Sequence, residues 1–220
     1  AGHYIEQARS HQMSIISMDC LHEYWATQGP YYYLIARLVS RPDLTTREIR
    51  AEYCDAFGDA ADVIAEYLDF WEAYHRQVGY NVPAGGSVGI DPDGLYARVS
   101  QEHFGQIMHP LRGHWKTLSH IYMPQIMREA GQILDRASSL TADTLTRGRI
   151  DFLRDGLRMV ELAAHYMTAQ EAADDAGMRT DLGHLKRFGD NMREKHGYWH
   201  SKDIFFLMWW GLIGDEYAVS

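Results

Sequence analysis

Cysteine is scarce in this chain, long apolar runs are missing and basic residues never cluster; each shortage removes a class of protein. Two cysteines, Cys20 and Cys54, occur in 220 residues without CxxC spacing, so neither a zinc ribbon nor a disulfide framework holds the fold together. Both are read as free, buried thiols. No apolar run approaches the roughly 18 residues that cross a bilayer; the nearest, Ile204 to Ile213, is too short, and no signal-peptide pattern opens the chain. Acidic residues outnumber basic ones, 30 against 21, for a formal net charge of -9. Without a Lys/Arg stripe no surface can displace counterions from a phosphate backbone, which argues against nucleic acid as a partner. An uncharged or cationic ligand suits the charge better.

At 46% hydrophobic, the chain can bury a real core as one large or two small domains. Most of it reads as helix. Thr45 and Glu48 form a capping-box pattern, after which Ile49, Tyr53 and Phe57 recur at helical spacing until Gly58. A second helix from Asp59 to Val78 carries Val63, Ile64, Tyr67, Trp71 and Tyr74 on one stripe, and the short link at Gly58 makes the pair antiparallel. Residues Gly79 to Gly94 are so rich in Gly and Pro that the sequence predicts no regular structure there, only a functional loop or a subdomain break. Helices resume around Ser100, Pro124 marks a helix start or kink with Ile126, Ala130 and Leu134 on its apolar face, and a long helix runs from about Ala142 to Ala176. Ile204 to Ile213, apolar on all sides, is expected to be buried or strand-like.

The most informative stretch is Ser14 to Pro42. Ile15 and Ile16 predict a short strand, Ser14 to Asp19, that ends in an acid and is followed by a polar, aromatic loop and a helix. Parallel strands of α/β folds deliver their site residues at that edge, so Asp19, His22, Glu23, Tyr24 and Trp25 are the substrate-binding candidates. A Trp face stacks on a sugar ring while a carboxylate accepts hydrogen bonds from its hydroxyls; the competing reading makes Asp19 and Glu23 helix caps and Trp25 core. One strand without a strong partner is unstable in water. The expectation is therefore that the chain, which begins at Ala1, is the C-terminal part of a longer protein whose α/β barrel closes at Ile5 to Cys20.

Three blocks carry a resemblance: EYWATQGPYYYLIARLVSRPDL from Glu23, EYCDAFGDAADVIAEYLDFWE from Glu52, and RGRIDFLRDGLRMVELAAHY from Arg147. In order and spacing they are similar to the C-terminal half of the bacterial DUF4838 family, regarded as relatives of α-glucuronidase- and hexosaminidase-type glycoside hydrolases. The resemblance implies a mainly α, bundle-like domain (residues 41–220, with a possible break at 79–99) after the closing βα unit of a TIM barrel (residues 1–40). It also implies hydrolysis of a carbohydrate by two carboxylates flanking the glycosidic bond. In such barrels the principal acid sits on a middle strand, outside this segment, and the catalytic residues are unknown. Its partners are then a carbohydrate and the N-terminal remainder of the same protein, with no cofactor, and secretion or a periplasmic location in a bacterium fits such a role. The alternative is a non-catalytic carbohydrate-binding or protein-interaction helical module.

Other constellations carry less. Tyr31, Tyr32 and Tyr33 are consecutive on a helix and must face different ways. Among 12 histidines, the pairs His109 with His114 and His196 with His200 lack the convergent third ligand a metal needs, and no metal is expected. Glu161 with His165, and Glu129 with Asp135, raise a four-helix carboxylate bundle, but the Glu-x-x-His repeat of such bundles is missing. GGSVG at Gly85 to Gly89 lacks the GK[ST] of a phosphate loop and reads as a flexible connection. Tyr198, Trp199, Trp209 and Trp210 are expected to seal the C-terminal helices.

Overall fold

The computed structural model describes residues 10, 25–84, 87–108 and 116–196. These form a mainly α, bundle-like domain, as the periodicity predicts. The predicted strand Ser14 to Asp19, the candidates Asp19, His22, Glu23 and Tyr24, the Trp25 side chain, Cys20 and the C-terminal apolar segment lie outside the described residues.

Helix α1 (Trp25–Ser40) places its three tyrosines as geometry requires: Tyr32 is buried, Tyr31 is 42% exposed, and Tyr33 leans on Tyr53 with ring centroids 5.5 Å apart. Helix α2 (Thr46–Asp55) opens on the expected capping box, with the Glu48 N–H donating to Thr45 Oγ1 and the Thr45 N–H donating to Glu48 Oε2 at 2.8 Å. Those backbone and hydroxyl donors hold the Glu48 carboxyl below its ordinary value. Gly58, at φ 55, ends the run in a short 3-10 turn, and α3 (Ala61–Val78) returns antiparallel. Arg50 ties the two helices, reaching Ala65 O at 2.8 Å and Asp69 at 2.7 Å.

Between Gly79 and Gly94 the structure corrects the expectation of a loop: β1 (Tyr80–Ala84) and β2 (Ser87–Ile90) pair antiparallel, with Tyr80 opposite Ile90, Ala84 opposite Ser87, and a bulge between Tyr80 and Val82. Breakers do not forbid this hairpin, because in a two-stranded sheet both strands are edges and Pro83 forfeits no inner ladder bond. The two glycines have a different duty. Gly79 sits at φ 71, a Cβ there would lie 3.0 Å from Gly94 Cα, and one on Gly94 would lie 2.8 Å from Val78 O. Only Gly at both positions lets the ends of the hairpin close.

Helix α4 (Leu95–Phe104) therefore begins directly after the hairpin, five residues before the expected Ser100. The four-residue α5 (Leu118–Ile121) follows, and α6 (Pro124–Ser139) starts with Pro at its first position as predicted. The long helix is α7 (Thr144–Glu171), capped by the Asp143 carboxylate accepting from the Thr146 N–H at 2.7 Å. It stops five residues before the expected Ala176. The Asp174 N–H donates to Ala169 O at 2.9 Å and the Ala173 N–H to Gln170 O at 3.1 Å, a Schellman motif with Ala173 at φ 51. The Asp174 carboxylate then accepts from the Gly177 N–H at 2.9 Å and starts α8 (Asp175–His196), which packs back along α7.

Of the four apolar clusters among the described residues, α7 runs through the two largest. Its N-terminal half puts Ile150 and Leu153 among Cys54, Phe57, Ile64, Tyr67, Ala130, Ile133 and Leu134. Its C-terminal half puts Leu162, Ala163, Tyr166 and Met167 against Leu118, Leu182 and Leu185. Trp71 bridges the first cluster to a smaller one of Tyr74, Val78, Tyr96 and Ile121, touching the rings of Tyr67, Phe70, Tyr74, His75 and Tyr122. Tyr74 is buried there and donates to Ile121 O; burial pushes its phenol up to about 12.

Leu157, expected in the core stripe with Leu153, is only partly buried against the first cluster, and Val160 is half-buried. Leu153→Ala is accordingly expected to cost about 2–5 kcal/mol and Leu157→Ala less, read as urea midpoints; equal losses would contradict this packing. Ala173 carries a Cβ in left-handed backbone, so Ala173→Gly should stabilise the fold by up to about 1 kcal/mol in the same melt.

Candidate functional site

The described residues bring together three side chains that no sequence motif connects: His103, His120 and Glu171. Each is placed by the apolar residues of its own helix. On α4, Tyr96, Val99 and Ser100 are buried, and His103 continues that face one turn on. On α5, Leu118 enters the second cluster while Ile121 enters the Tyr74–Tyr96 cluster, which anchors the short helix at both ends. His120, between the two anchors, is thereby held against α7. On α7, Ala164 and Met167 are buried, and Glu171 extends their stripe at steps of seven and four.

The Glu171 carboxylate divides its oxygens between the two imidazoles. Oε1 lies 3.2 Å from His103 Nδ1 and Oε2 lies 2.7 Å from His120 Nε2. The rings are stacked, with centroids 3.7 Å apart and planes 27° from parallel. His120 Nε2 is buried yet makes no hydrogen bond, so the carboxylate oxygen, although 2.7 Å away, lies off the N–H direction. Ser100 Oγ, three residues before His103, and Ser119 Oγ, next to His120 in sequence, are the other buried side-chain polar atoms without a partner among the described residues. All three ligand-type atoms lie within 4.8 Å of one another. The side chains are 30%, 22% and 41% exposed, so solvent reaches the group.

Sequence reasoning missed this cluster because its members are 17 and 51 residues apart and share no local spacing. The one legible signal is that His103 and Glu171 each fall in the last turn of an amphipathic segment. The carboxylate bundle weighed from the sequence does not form among the described residues: Glu129, Asp135 and His165 are exposed, Asp135 pairs with Arg154 at 2.6 Å, and Glu161 pairs with Arg158. His109, His114 and His200, like Gly85 and Gly86, lie outside the described residues, as does the His196 side chain.

Two other features bear on function. A shallow hollow of about 490 Å³ is lined by Pro92, Ala97, Arg98, Gln101, Glu102 and Ile107; none of these described residues carries an aromatic ring on which a sugar could stack. Near Tyr33, the Glu52 carboxylate takes Arg37 at 2.8 Å and is held below its ordinary range by the Tyr33 hydroxyl first and that guanidinium second. This group joins α1 to α2.

No helix among the described residues is long and apolar enough to cross a membrane. Cys54 is a free thiol, 5% exposed, and burial pushes its pKa up, which removes it as a nucleophile. In a Cys20→Ser variant, a thiol reagent at neutral pH should therefore leave the native protein unlabelled and react fully only in denaturant; rapid native labelling would contradict the burial. Comparison with family models, with curated proteins and with solved structures finds no match for this chain.

Proposed function

We propose that this chain is the C-terminal region of a glycoside-hydrolase-like, carbohydrate-active protein. In that reading residues 1–40 close a (β/α)8 barrel, residues 41–220 form a helical packing domain, and Asp19, His22, Glu23, Tyr24 and Trp25 line part of the sugar pocket. The observation that supports it is the fate of the three resembling blocks. They fall on α1, on α2 with α3, and on α7; α1 packs on α2 and on α7, while the other two blocks share the first apolar cluster. Segments far apart in sequence are thus one packing unit, as expected if the resemblance follows a common fold rather than chance composition.

Chemically, the role assigned to this segment is recognition. A Trp ring at the start of α1 supplies an apolar face to the sugar, and the carboxylates before it accept hydrogen bonds from hydroxyls. The acid and base that cleave the bond are supplied by the preceding barrel. Trp25→Ala in the barrel-containing protein is expected to weaken oligosaccharide binding by about tenfold or more, about 1.4 kcal/mol, while the urea midpoint moves little. Isothermal titration beside the melt decides the matter. A large loss of stability with unchanged sugar affinity would return Trp25 to the core and end the pocket assignment.

A further inference from the structure

We propose that His103 Nδ1, His120 Nε2 and the Glu171 carboxylate form a binding site for one divalent first-row transition ion, with zinc as its representative. The ion would clip α4 and α5 to the C-terminal end of α7. The site is independent of the carbohydrate reading.

Two imidazoles and one carboxylate are a borderline nitrogen and oxygen set, which favours zinc and its neighbours over magnesium or calcium, whose sites are built from oxygen. Spacing comes next. Zinc bonds nitrogen at about 2.0–2.1 Å and carboxylate oxygen at about 2.0–2.2 Å, so a tetrahedral ion keeps its ligand atoms about 3.3 Å apart. The two His–Glu distances are 3.2 and 2.7 Å, and the whole set fits within 4.8 Å. The two His–Glu contacts need changes of only about 0.1 and 0.6 Å, while the two ring nitrogens, within 4.8 Å of each other, come to that spacing once the stacked imidazoles turn away from parallel.

A carboxylate serving only as a hydrogen-bond acceptor would lie along the N–H direction of each imidazole. Around His120 it does not: Nε2 is buried, 2.7 Å from the oxygen and without a hydrogen bond. The hydrogen-bonding capacity of that ring nitrogen is thus unused although a carboxylate stands next to it, which is what a nitrogen kept for a metal would show.

The field agrees with a cation. His103 is the penultimate residue of α4 and Glu171 the last of α7, so both helices bring the negative ends of their dipoles to the cluster. Three protein ligands leave a further coordination position, and the partial exposure of all three lets solvent fill and exchange it. The ion's structural effect follows from topology, since it joins residues 103, 120 and 171, borne on three separate helices.

The test uses the 220-residue chain, stripped with a chelator and titrated calorimetrically with zinc, with magnesium as comparison. One zinc per chain is expected at this site, with a rise in thermal midpoint that magnesium does not give. His103→Ala and Glu171→Gln should each weaken that binding 100-fold or more, whereas His165→Ala, on an exposed face of α7, should leave it unchanged. Circular dichroism of each variant confirms that it is folded. Glu171→Gln, nearly isosteric, keeps the test decisive if His103→Ala unfolds. Cobalt substitution supplies a readout local to the ligands: a visible ligand-field spectrum should appear in the parent chain and vanish in Glu171→Gln. An unchanged zinc isotherm in both site variants would overturn the proposal, placing the metal on other histidines. So would a parent chain that shows no zinc-dependent shift, which would leave the cluster a carboxylate held between two imidazoles.

Discussion

The burial of one continuous stripe along α7 is the constraint on which the other helices depend. At 28 residues, α7 is about 42 Å long, too long for a single small core. It solves this by serving two. Ile150 and Leu153 close the cluster built by α2, α3 and α6, and Leu162, Met167 and their neighbours close the one built by α5 and α8. Each fully buried side chain of this kind contributes about 1.5–3 kcal/mol, whereas the exposed ion pairs around it, such as Arg136 with Glu66, contribute at most about 1 kcal/mol each. Packing therefore sets the helix positions, and the ion pairs follow. Trp71 then joins the first cluster to the Tyr74–Tyr96 cluster, so that displacement of α3 is felt at α4 and α5.

Because the histidines ride on these anchored helices, the cluster at the end of α7 is a product of topology. Leu118 and Ile121 flank His120 and face different clusters, which leaves that residue little choice of direction. The same logic applies to Glu171, the last member of a stripe whose earlier members are buried. A polar residue that falls on a buried stripe at a helix end has a fixed address in space, even though its partners cannot be named before the fold is known.

How much could be read beforehand follows from the range of each interaction. The capping box at Thr45, the stop at Gly58 and the start at Pro124 involve residues within four positions of one another, and all were legible. The end of α7 was not, because the left-handed residue is Ala173 rather than glycine; its sequence looks helical, and Asp174 must break α7 and start α8 together. The hairpin escaped for the opposite reason, its many breakers suggesting a loop or a subdomain break where they supply edge strands and pinned ends. Leu157 shows the limit of periodicity: it lies on the same stripe as Leu153, but how far a stripe is covered depends on where its neighbours end. The metal-type cluster spans 68 residues and has no local signature at all. The pocket proposed for the sugar was the reverse case, inferred from strand-edge logic and a resemblance, with no contribution from the helical core.

The closure at Gly79 and Gly94 has a consequence for how this domain could vary. Since the two glycines meet backbone to backbone, the helices on either side are already set when the chain leaves for the hairpin, and whatever lies between is attached at a single point. Lengthening such an excursion costs only about 0.6 kcal/mol per doubling in closure entropy. The segment between Tyr80 and Ile90 is thus a natural socket: relatives could differ widely in its length and chemistry, and a designer could exchange it for a reporter or a recognition loop, while α3 and α4 stay in register.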